Sequence, residues 1–174
     1  MAFLPEDFYV PTLVAGLRFR IRPISVHDAV RHFDAVMSNR DRLWERFGAM
    51  WGWPHTDLTL EQDLVDLGWQ QKEGQLRRAF TYAVLTPDET RLLGCVYVFP
   101  AQKSGADAEA DFWVRADQDD AGLEKELDEF VREWLDTAWP FESVRFPGRD
   151  LPWEEWQALP GGAPLPRCAD HRLW

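Results

Sequence analysis

The chain has 174 residues, enough for one domain with its own core, and a formal net charge of −11. That charge argues against nucleic acid and anionic membrane surfaces, since both are bound by Lys and Arg neutralising phosphates, and it favours a cationic small molecule or a basic peptide. No apolar run approaches the ~20 residues that span a bilayer, and two cysteines, Cys95 and Cys168, make no disulfide framework, which fits a reducing cytoplasm.

Residues 1–16 show no period and contain Pro5 and Pro11, so a leading arm laid on the domain is expected. Leu17, Phe19 and Ile21 then alternate with Arg18, Arg20 and Arg22, which predicts a half-buried strand with a wet arginine face. Ser25 and Asp28 form a capping-box variant ahead of Ala29, Val30, Phe33, Val36 and Met37 at helical spacing. A second helix is predicted over 39–47, stopped by Gly48 and followed by a loop at 51–54. Thr59 and Gln62 make another capping box, and Leu60, Leu64 and Leu67 mark one face of the next helix.

Strands are predicted at 80–85, 92–99 and 109–115, with a turn at Thr86-Pro87-Asp88. The second is almost wholly apolar, hence buried on both faces, with Cys95 as a small buried hydrophobe. Asp119 or Asp120 is expected to cap the clearest helix, whose stripe is Leu123, Leu127, Phe130, Val131, Trp134 and Leu135. Trp139-Pro140 ends it, a short strand follows at 143–146, and Asp150 caps a last helix holding Trp153 and Trp156. Residues 159–174 form an irregular tail. Ten Trp and eleven Phe point to an aromatic core.

Several chemistries have no motif here: no G-x-S-x-G elbow, no Walker loop, no G-x-G-x-x-G. His27, His32, His55 and His171 show no zinc spacing and read as surface or capping residues, so no metal is expected.

The phrases Phe19-Arg20-Ile21-Arg22-Pro23, Leu93-Gly94-Cys95-Val96-Tyr97-Val98 and Ala110-Asp111-Phe112-Trp113-Val114, with the order of elements, resemble the GNAT N-acyltransferase superfamily over about residues 17–158. Trp139-Pro140-Phe141 and Pro152-Trp153-Glu154-Glu155-Trp156 resemble a bacterial branch of it. The resemblance implies one α+β domain, a mixed and mostly antiparallel sheet flanked by helices. It implies acyl transfer from acetyl-CoA to a primary amine, with the cofactor between two splayed strands. Glu109 is then the first candidate for the base and Asp111 the second. Trp113, Val114, Arg115, Gly122 and Leu123 are the cofactor-binding candidates, with the Val114 or Arg115 N–H polarising the thioester. The partner is a small cationic amine or basic peptide, and a homodimer is one expected assembly.

Two departures stand out. The family's R/Q-x-x-G-x-G/A loop, whose glycines let N–H groups reach a pyrophosphate, is replaced by Arg115-Ala116-Asp117-Gln118-Asp119-Asp120-Ala121-Gly122. Each aspartate would repel a pyrophosphate by about 1–2 kcal/mol at ~9 Å. After Phe146 there is neither a tyrosine nor a clear strand, so the sheet lacks the family's last strands. The alternative reading is a non-catalytic GNAT-like module. Trp153 and Trp156, one helical turn apart, are candidates to fold into the splay.

Overall fold

The computed structural model describes residues 3–119 and 122–161. Its centre is one six-stranded sheet in the order β1-β2-β3-β4-β5-β6: Val14–Ala15, Arg20–Pro23, Phe80–Leu85, Leu92–Pro100, Ala108–Val114 and Val144–Arg145. Neighbours are antiparallel except β5 and β6, which run parallel. The helices are α1 (Ala29–Ser38), α2 (Arg40–Trp51), α3 (Leu60–Gln75), α4 (Ala116–Asp119), α5 (Leu123–Ala138) and α6 (Trp153–Ala158).

Each face of the sheet carries its own core, because β3, β4 and β5 present apolar residues to both sides. One face packs Val96, Phe112 and Val114 against Leu123, Leu127, Val131 and Trp134 of α5. The other packs Cys95, Tyr97 and Trp113 against Val36, Leu43, Phe47 and Leu67 of α1, α2 and α3. Gly94 permits the tight β4–β5 approach: a Cβ there would lie 1.9 Å from the Trp113 carbonyl oxygen.

The structure corrects several expectations. The arm contributes a strand: Val14 and Ala15 pair with Ile21 and Arg20, while Leu17 is 96% exposed in the turn between them. Gly48 does not stop α2, which runs on to Trp51 and ends at Gly52 in the left-handed region, φ 61°. On α3 only Leu67 of the expected leucine face points inward. Leu60 and Leu64 are exposed, and Asp63, Asp66 and Leu67 are buried. His32 is no surface residue; it lies buried against Asp63.

Gly122, not an aspartate, holds the N-cap position of α5, at φ 74° and without a side-chain cap bond. Asp119 belongs to α4, and Asp120 lies outside the described residues. Phe130 is only partly buried, edge-on to Phe19. Pro152 rather than Asp150 precedes α6, and Asp150 is instead held by Arg132. After β6 the only β pairing among the described residues is two isolated bridges, Pro147–Leu151 and Lys103–Gly161. Cys168 and His171 lie outside the described residues.

Candidate functional site

β5 and β6 pair over two positions only, Ala108 with Val144 and Glu109 with Arg145. β5 then runs on through Ala110–Val114 with no strand on that side among the described residues. The Arg115 N–H donates to the Leu93 carbonyl, on the β4 side. Backbone groups alternate along a strand, so Ala110, Phe112 and Val114 turn theirs toward the gap beside β6. Of the two N–H candidates, Arg115 is therefore spent on the sheet and Val114 faces the gap.

Side chains alternate as well. Glu109, Asp111 and Trp113 share the face toward α2 and α6, and all are buried. The Trp113 indole donates to the Tyr97 hydroxyl at 2.9 Å, which fixes the ring beside Asp111. Trp51 stands edge-on to Tyr97, 5.6 Å between ring centroids, so this face is walled by aromatic rings.

Charge gathers where β5, α2 and the first turn of α5 meet. Arg42 and Arg46, one helical turn apart on α2, reach Glu124 of α5 at 2.6 and 3.4 Å. Arg46 also bonds Asp111 Oδ1 at 2.5 Å. Arg149, from the segment after β6, bonds Glu124 at 2.9 Å and lies 3.4 Å from Asp111 Oδ1. Its guanidinium stacks 3.5 Å from the Phe112 ring centroid and donates to the Phe112 carbonyl at 2.8 Å. The Phe112 N–H donates to Asp111 Oδ1. Both gap-facing backbone groups of Phe112 are thus satisfied by side chains.

With every donor on Oδ1, Asp111 Oδ2 is buried with no partner. Burial pushes the Asp111 carboxyl above its ordinary range, against the pull of Arg46 and Arg149. Burial, and then Arg46 beside it, lowers Arg149 below the usual guanidinium value. Glu109 accepts from the Trp156 indole N–H at 2.7 Å. Trp153 donates to the Arg46 carbonyl at 3.2 Å, fastening α6 to α2.

Arg42, Arg46, Arg149 and Glu124 are absent from the sequence-level site. The available signal was the pair of arginines four apart on one helix. Their convergence on an acid some eighty residues later is invisible to spacing.

Along the edge of β5 that β6 leaves uncovered, the Phe112 carbonyl is already taken by the Arg149 guanidinium. At the helix start, Gly122 faces open space, Glu124 and Glu126 stand in the first turn of α5, and Asp117 is held by Arg91 and Arg115. Leu123 is buried in the α5 core rather than exposed to the gap. Among the described residues, no group of three or more His, Cys, Asp or Glu is placed to hold a metal ion, and no helix is long and apolar enough to cross a membrane.

No protein-family model matches the chain, and no curated protein matches it in sequence. Solved structures do. Ribosomal-protein-S5-alanine acetyltransferase from Vibrio fischeri superposes with a TM-score of 0.58 at 18% identity, over 74% of this chain and 69% of that one. A GNAT-family acetyltransferase from Bordetella pertussis gives 0.54 at 17% identity, over 72% of each. The ribosomal L7/L12 α-N-protein acetyltransferase RimL, in complex with coenzyme A, gives 0.56 at 13% identity, over 70% of this chain and 67% of that one. The two-sided sheet, the parallel β5–β6 pair that parts after two residues and these superpositions agree: the chain has the fold of the GNAT acyl-CoA N-acyltransferases.

Proposed function

We propose that the chain transfers an acyl group from acyl-CoA to an amine. The observation that carries this reading is the unpaired edge of β5 beside the start of α5, with Asp111 and Glu109 on the adjacent face. Acyl-CoA would supply a thioester-activated acyl group. The amine must lose a proton as it attacks, and Asp111 Oδ2, buried and without a partner, is the best-placed acceptor for it. Glu109 stands second because one oxygen holds the Trp156 N–H. The Val114 N–H is the donor directed toward the gap.

The acceptor class follows from charge. A net charge of −11 attracts a cationic amine or a basic peptide. The superposable enzymes named for ribosomal proteins act on protein amines, in line with a peptide acceptor. A test is direct: acetyl-CoA with a panel of polyamines and basic peptides, thiol release followed by a chromogenic disulfide. Release that depends on one acceptor class supports the reading. Release no faster than thioester hydrolysis with every acceptor would end it.

A second reading, a non-catalytic GNAT-like module, is favoured by the acids at the start of α5 and by the occupied Phe112 carbonyl. It predicts no acetyl-CoA binding by the wild type or by any variant that clears the gap.

A further inference from the structure

The segment after β6 is compactly folded. Gly148, φ 78°, takes a left-handed turn in which its N–H donates to the Leu151 carbonyl at 2.7 Å. The Arg149 and Asp150 N–H groups return to the Phe146 carbonyl at 3.1 and 3.0 Å. Trp153 packs so closely on Gly148 that a Cβ there would lie 2.6 Å from its indole nitrogen. This is a preformed unit, and it is aimed. From it Arg149 reaches the Phe112 carbonyl and Asp111, and Trp156 reaches Glu109.

Those three targets are the backbone edge and the two carboxylates that acyl transfer would use. We infer that residues 146–158 are a self-masking strap, which must lift from β5 before an acyl-CoA can pair with that edge. The inference rests on the acyl-transfer reading of the same site. Its physical basis is competition for space: the carbonyl oxygen has two lone pairs, but the guanidinium lies 2.8 Å from it in the gap, where the backbone of a ligand pairing along the strand would have to run.

The fastenings suit a strap that opens. Arg149 and Trp156 touch the site only through side chains, and the strap adds no ladder hydrogen bonds to β5 beyond Glu109. Lifting would leave Asp111 with Arg46, Glu124 with Arg42 and Arg46, and Glu109 with Arg145 at 3.8 Å, while the strap's own Asp150 would give up Arg132. The strap is also tied to α2 by Trp153 on the Arg46 carbonyl and by Gln157 near Met50.

The experiment pairs calorimetric titration of coenzyme A with hydrogen exchange of residues 146–158, on the full chain. Wild type, Arg149→Ala and Trp156→Phe are compared, with urea denaturation verifying that each variant folds. The expected result is weak binding by wild type, faster exchange across the strap in both variants, and at least a tenfold gain in affinity for Arg149→Ala. In wild type, coenzyme A should itself speed strap exchange. Tight wild-type binding with strap exchange unchanged overturns the strap and leaves the acyl-CoA reading standing. Weaker binding by Arg149→Ala overturns it as well, making Arg149 a ligand contact. A strap that opens in the variants while none binds coenzyme A overturns the acyl-CoA reading, and the strap as its competitor with it.

Discussion

His32 Nδ1 lies 2.8 Å from Asp63 Oδ2 in the core between α1 and α3, with both side chains almost fully enclosed. Burial disfavours the imidazolium, but the Asp63 carboxylate outweighs it, and the His32 pKa is pushed up to about 10. A raised folded-state value contributes stability that is complete below the unfolded value near 6.5 and is lost as pH rises toward 10. Urea denaturation between pH 6 and 10 should show a decline of roughly 2–4 kcal/mol. In His32→Gln the decline between pH 6 and about 8 should nearly vanish, leaving above pH ~8.5 the part that burial of the Cys95 thiol supplies. An equal slope in both proteins would remove His32 from the alkaline limb.

The acid limb belongs to another pair. Asp28 is fully buried, and although burial opposes its charge, Arg22 at 2.9 Å and the Ser25 N–H hold its carboxyl below the ordinary value. That stability is present above pH ~4 and is lost as pH falls through the lower folded value. Arg22→Met should cost about 3 kcal/mol at pH 7, since Arg31 at 3.6 Å replaces only part of the partnership. A loss below ~1 kcal/mol in denaturant titration would show the pair to be dispensable.

Gly94→Ala should be among the most damaging single-methyl additions in the chain. Its Cβ would meet backbone atoms of β5, which cannot give way as a side-chain tip can. A loss of about 3 kcal/mol or more is expected, with β4 and β5 amides losing exchange protection together. A near-neutral change would mean that the two strands are less closely apposed.

Leu127 and Phe130 sit on the same helix and should rank opposite to their size. Leu127 is completely buried, and truncation to Ala should cost about 3–4 kcal/mol. Phe130 lies at the margin of the core against Phe19 and Trp134, and should cost about 1–2. Denaturation of the two variants side by side checks the order.

Asp111→Asn should reduce amine acylation by at least about 100-fold with coenzyme A affinity nearly unchanged, as expected of a proton acceptor. Glu109→Gln should give the smaller drop. Turnover undiminished in Asp111→Asn would return the role to Glu109 or to water.

The sheet was legible because β3, β4, β5 and α5 carry their burial in local periodicity. The polar interior was not. Asp63 is buried because His32 answers it from another helix, and a sequence window sees only a charged residue on an apparently wet face. Leu60 and Leu64 were assigned inward for the same reason, since hydrophobicity alone cannot tell which face a neighbour with a cation will claim. The two candidate acids were legible as strand residues entering a splay, whereas Arg149 gains its place only through the turn at Gly148. Trp156 could be suspected from spacing, but its bond to Glu109 depends on the tertiary path of the segment.

The order of strands also sets an order in time. β3, β4 and β5 follow one another through two short connections, so their pairing closes small loops at little entropic cost. β6 meets β5 only after α5 has crossed the sheet, and over only two residue pairs. Loop-closure entropy thus favours the meander as the folding nucleus, with the two-pair β5–β6 junction, which closes a longer loop, expected to form after it. If that order holds, the inferred strap should open sub-globally, with its amides exchanging before those of the meander.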